Sequence, residues 1–122
     1  MVSKIKPKNT SVQPRIRILR RSNIAIGPGK AELLARVGET GSIGEAAKRM
    51  DMSYMRAWKL IQTMNECFRS PLVRTARGGQ RGGGAQLTDT GRKALELYQQ
   101  MEEASRVAVE KPWQELRRLL RG

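Results

Sequence analysis

The chain has 122 residues and no histidine among them. That removes the commonest general base and leaves a single soft transition-metal ligand, Cys67. One cysteine cannot close an intramolecular disulfide, so a reducing cytoplasm is the expected compartment. Cys67 itself reads as a small apolar side chain near a helix end. Aromatic residues make up only 4% of the chain. No apolar run approaches the ~18 residues of a spanning helix, and no secretory leader is read at the start, so no membrane partner is expected. Acid is scarce too, with 11 Asp and Glu against 24 Lys and Arg. The carboxylates are scattered along helical faces, and the neighbours Glu102 and Glu103 point in different directions. With no nucleophile–base pairing and no metal-ligand spacing, neither an enzyme nor a cofactor is expected.

What is present is positive charge, a formal +13. A surplus of that size attracts polyanions, nucleic acid first. Length and composition suit one domain with a modest core. Residues 1–14 are basic, polar and aperiodic, and read as a disordered arm. Ile16 and Ile18 alternate with arginines, and Ile24 and Ile26 keep the period of two after the polar break "RSN", which predicts a short hairpin. The period then changes. Leu33, Leu34 and Val37 fall on one helical face that frays at Gly38 and Gly41.

Ser42 with Glu45 three residues on forms a capping box, and Ile43, Ala46, Ala47 and Met50 supply the buried side of a second helix. Asp51-Met52 make a turn, and Ser53 caps a third helix running to about Phe68. Ala57, Leu60, Ile61, Met64 and Phe68 form its core stripe, with Trp58 at the edge. Two helices joined by a tight turn, crossing at small Ala46 and Ala47, predict a helix-turn-helix. The face opposite the core stripe gathers Met55, Arg56, Lys59 and Gln62, with Ser53 and Tyr54 joining the groove-facing set from the exposed N-terminal turn and no acid before Glu66. A major groove would welcome that set on its base edges.

After Pro71, "LVRTA" and "AQL" read as two strands joined by the tip "RGGQRGGG". This hairpin would be a wing, with Arg74, Arg77, Gln80 and Arg81 on phosphates or in a minor groove. Ser42, at a helix N-terminus, joins that phosphate set. A Walker loop is excluded because no Gly-Lys-Ser/Thr ending follows the glycines. RNA is disfavoured, since the two Arg-Gly-Gly units are pinned between a strand and a helix and no aromatic array accompanies them. Thr88 caps a long helix whose seam is Ala94, Leu95, Tyr98, Met101, Ser105 and Ala108. Pro112 is expected to interrupt it, leaving a short final helix from Trp113. A seam that long predicts a homodimer.

Together "ETGSIGEAAKRM", "MSYMRAW", "MNECFRSPLVRTARGGQRGGGAQLTDTG" and "ALELY" resemble the DNA-binding part of the molybdate-responsive transcriptional regulators, the ModE family. The likeness to LysR-type regulators is looser. The resemblance implies a bacterial winged-helix dimer on operator DNA, its N-terminal hairpin and long helix helping to pair the subunits. It also implies a link to molybdenum or metal-oxyanion metabolism. The family's molybdate ligand sits in separate C-terminal domains, so no residue here is assigned to it.

The expected fold is mainly α with small β: a winged helix-turn-helix with an N-terminal β-hairpin and a long C-terminal dimerisation helix. The arm covers 1–14, the winged domain 15–87 and the helical extension 88–122. The expected function is sequence-specific binding of double-stranded DNA in transcriptional regulation. Its rivals are an architectural DNA-binding protein acting by charge alone and an adaptor whose basic face meets an acidic protein.

Overall fold

The alternating residues after Arg15 form an antiparallel hairpin, β1 (Ile18–Arg20) and β2 (Asn23–Ile26), in a computed structural model that describes residues 10–76 and 84–121. Arg21 takes a left-handed φ of 57° in the turn, and the register slips between Ile18 and Leu19. Ala25 and Ile26 are buried. The Lys30 ammonium donates to the Ile24 carbonyl, tying the hairpin to the next element.

That element, α1 (Pro28–Thr40), starts on a proline, whose missing N–H costs nothing in a first turn. Leu33, Leu34 and Val37 face inward at 0% exposure. The helix passes through Gly38 and stops at Gly41, whose left-handed φ of 72° lets its N–H reach the Val37 carbonyl at 2.8 Å. Two helices follow, α2 (Ile43–Arg49) and α3 (Tyr54–Cys67), then a second hairpin of β3 (Val73–Ala76) and β4 (Gly84–Leu87). Its register runs from Val73 opposite Leu87 to Ala76 opposite Gly84. The last described element is α4 (Asp89–Arg117).

One core joins α1, α2, α3, β2, the second hairpin and the first turns of α4. Leu72 lies at its centre, fully buried. A Cβ on Gly91 would fall 2.0 Å from the Leu72 carbonyl oxygen, so only glycine lets α4 start this close to the hairpin. Tyr98 is the last buried residue of α4.

Two expectations need correction. The break at Pro112 does not occur: α4 is one helix of 29 residues with Pro112 inside it, and no separate helix starts at Trp113. A proline strips one hydrogen bond and crowds the carbonyl four residues back, here Ala108. Ala108 is exposed, so water reaches the freed carbonyl and no neighbour resists local bending. The capping box is only half formed. Ser42 Oγ accepts from the Glu45 N–H at 3.0 Å, but the Ser42 N–H donates to Thr40 Oγ1 at 3.2 Å. The Glu45 carboxylate turns instead to Lys48.

Candidate nucleic-acid interface

The crossing of α2 and α3 depends on small side chains. Ala46, Ala47 and Ala57 are exposed by 2% or less, so the two backbones approach without a bulky spacer. Between the helices, Asp51 adopts a left-handed φ of 55°, and the Met52 N–H returns to the Ala47 carbonyl at 3.0 Å. Ser53 then starts α3, its Oγ accepting from the Arg56 N–H at 3.1 Å.

The inward side of α3 is Ala57, Ile61 and Met64, and the outward side is the predicted reading face. Tyr54 and Met55 are 53% and 58% exposed, far more than apolar bodies of that size usually are. Arg56 and Lys59 are exposed, and neither joins an ion pair among the described residues. With Leu60, Met55 brings them to the rim of one shallow concavity. Gln62 is half-buried, at the margin of this face, and Ser53 keeps its hydroxyl proton for a partner while its oxygen serves the cap.

Charge is sorted around this face. Acids on α1 and α2 are paired locally: Arg36 with Glu32 and Glu39, Arg49 with Glu39, Lys48 with Glu45. Three of the acids on α4 pair likewise, Asp89 with Arg92, Glu96 with Lys93 and Glu103 with Arg106. From Ser53 to Ala76 the cations are Arg56, Lys59, Arg69 and Arg74, and the lone acid is Glu66. A surface with that bias, beside an exposed helix on a short turn, can bind a polyanion and fit a groove.

On β3, Arg74 is exposed and stands opposite Gln86, an exposed polar partner that sequence reading overlooked. The wing-tip residues Arg77, Gln80 and Arg81 lie outside the described residues. Ser42 is first of all a cap: its N–H and its Oγ are both occupied, which leaves the hydroxyl proton for any phosphate.

Residues 29–92 match the family described as bacterial regulatory helix-turn-helix proteins, lysR family. The chain belongs to that family. It is a family of regulators and not of enzymes. This lysR-family chain is 41% identical over 85 residues to the molybdenum-pterin-binding protein MopB of Rhodobacter capsulatus, a match covering 70% of the chain and 32% of MopB. It is 42% identical over 78 residues to the molybdenum transport protein ModE of Azotobacter vinelandii, covering 64% of the chain and 29% of that protein. The chain thus spans about a third of the length of these relatives. Among solved structures, the CbnR_DBD-DNA complex superposes with a TM-score of 0.57 at 20% identity, over 72% of this chain and 95% of that one. At that identity the likeness speaks for the winged helix-turn-helix fold alone.

The seam expected on α4 divides in two. Ala94 and Leu95 pack against the chain's own core, and Tyr98 is 2% exposed with its hydroxyl on the Ile16 carbonyl. Contrary to the expected seam, Tyr98 is already covered within its own chain. Met101 and Ala108 are exposed and Ser105 is half-buried. Sequence reading missed Leu97, 46% exposed, and Ala104, which continue the exposed apolar line with Met101 and Ala108. A helical stripe marks apolar positions without saying which chain covers them. Only the fold, by covering part of the stripe, shows where it stops.

Proposed function

We propose that this lysR-family chain reads a specific site on double-stranded DNA and regulates transcription from it. The observation that carries the reading is the outward face of α3, where Tyr54, Met55, Arg56 and Lys59 stand exposed on a helix-turn-helix with no acid among them. Arg and Lys match guanine acceptors, and apolar bodies match thymine methyls. Arg74 of the wing, together with Arg77 and Arg81 by sequence, would hold phosphates and set the register.

We further propose a homodimer through the exposed line Leu97, Met101, Ala104 and Ala108, which steps by four and three residues as a helix pair requires. Small Ala104 and Ala108 would let the helices approach closely. The names of MopB and ModE tie those relatives to molybdenum, and we extend that physiological setting to this chain. The ligand is a separate matter: no cluster of His, Cys, Asp or Glu able to hold a metal occurs among the described residues. None of the described helices is long and apolar enough to cross a membrane, and a cytoplasmic regulator is the reading we adopt.

The deciding experiment selects a preferred duplex from a random library and compares it with a scrambled duplex across a salt series. Specific regulators hold a preference of at least about a thousandfold at physiological salt. Equal affinity for both duplexes would make the chain an architectural binder instead. No binding to either would favour an acidic protein as the partner.

A further inference from the structure

A two-stranded ribbon such as the wing has little independent stability, so something else must aim it. On one side that something is Asn65, a half-buried residue of α3. Its Oδ1 accepts from the Leu72 N–H at 2.8 Å and from the Val73 N–H at 3.2 Å. Its Nδ2 donates to the Val73 carbonyl at 3.2 Å. A carboxamide carries the same acceptor and donor as a peptide group, so Asn65 docks on the outer edge of β3 as a one-residue strand.

The other side of the root is held by the start of α4. The Leu72 carbonyl accepts from the Thr88 N–H at 3.0 Å, and the Thr88 hydroxyl donates to the Pro71 carbonyl at 2.7 Å. Leu72 is thereby gripped at its nitrogen by α3 and at its oxygen by α4. Arg74 follows two residues later, exposed.

We infer that Asn65 is a positioning residue for DNA binding: it fixes the angle between the α3 face and the wing, and so sets where Arg74 meets the phosphate backbone. This role rests on the DNA-binding reading proposed above. Asn65 itself lies off the groove. It follows Arg56 by nine residues, which turns it about half a revolution away on the helix. The leverage is large for so small a group. Arg74 stands one strand step, about 3 Å, beyond Val73 and its side chain reaches roughly 6 Å further, so a swing of about 20° at the root moves the guanidinium by about 2 Å. A phosphate hydrogen bond does not survive that displacement.

The test is a double-mutant cycle on the full chain, using the selected duplex and its scrambled control. Wild-type binding is measured first, with its salt slope. Asn65→Ala is expected to melt cooperatively yet bind about tenfold more weakly, because three backbone groups lose their partner and the wing loses its aim. Its salt slope should become shallower to the same extent as that of Arg74→Ala. In an Arg74→Ala background, Asn65→Ala should weaken binding by less than about twofold, since the contact it positions is already gone. Base preferences contributed by α3 should be retained. Asn65→Asp keeps both acceptor bonds and loses the donated one, so it should fall between wild type and Asn65→Ala. Losses that simply add across the cycle, or an unchanged salt slope, would leave Asn65 as ordinary support for the fold and overturn the inference. Were Asn65→Ala unfolded, the same cycle with Asn65→Asp decides. A wild-type chain that binds neither duplex would overturn the DNA-binding reading, a result separate from additivity within the cycle.

Discussion

The hydroxyl of Tyr98 donates a 2.6 Å hydrogen bond to the carbonyl of Ile16, joining residues 82 apart in sequence. It fastens α4 to the segment leading into the first hairpin, and the Tyr98 side chain is buried. That burial raises the phenol above its ordinary value of 10.0; Glu102 adds to the rise, and Arg15 and Arg17 oppose it. The folded state thus prefers the neutral phenol. The resulting stability is fully present below pH 10.0 and is lost as pH rises through the raised folded value. Tyr98→Phe should cost about 1 kcal/mol at neutral pH and lower the melting temperature by about 5 °C. It should also flatten the alkaline decline of stability. Calorimetry from neutral to strongly alkaline pH checks both, and an undiminished decline would assign the titration to another group.

Arg56 and Lys59 project from α3 and join no ion pair among the described residues. Replacing either with Ala should weaken binding to the selected duplex by about 1–3 kcal/mol and relax preference at one or two base pairs. Equal losses on selected and scrambled DNA would move the residue from base reading to phosphate contact.

Arg74 tests the wing. Each phosphate contact contributes roughly −0.9 to the slope of log affinity against log salt concentration. In a dimer Arg74→Ala removes two such contacts, so the slope should become shallower by about 1.8, with similar weakening on every sequence. A slope identical to wild type would place the side chain in solvent.

The proposed interface separates cleanly from the core because Tyr98 and Met101 are neighbours with opposite fates. Glu at Leu97 or Met101 should give a folded monomer in sedimentation at micromolar concentration, with melting close to wild type. Glu at Tyr98 should unfold the domain, since it would bury a charge beside a carbonyl. A wild-type monomer at that concentration would end the dimer proposal.

The helix-turn-helix was legible because its signals are local: Ser42 and Ser53 are caps, and the stripe from Ala57 to Met64 repeats within one helix. Pro112 misled because its penalty is real but its site is solvated, and solvent relieves what a packed neighbour would not. Tyr98 misled because covering is a property of the fold. Asn65 gave no signal at all. A polar residue in the second half of an amphipathic helix looks like a solvent contact, and its partners, Leu72 and Val73, lie beyond a turn that no periodicity describes.

In the proposed dimer the unbroken α4 would govern which DNA sites are accepted. Its 29 residues make a rod about 43 Å long, and about one turn of DNA separates neighbouring half-sites, or 34–36 Å. In a two-fold pair, the point where two such rods cross sets the distance between the two copies of α3. Moving the crossing from Met101 to Ala108 shifts it by seven residues, about 10 Å along each rod. Counted on both rods, the separation changes by up to about 20 Å, or about six base-pair steps of duplex. In the proposed dimer the gap between half-sites would thus be set by a helix that lies outside the proposed base-reading set. Two chains sharing one α3 but crossing a heptad apart would ignore each other's operators.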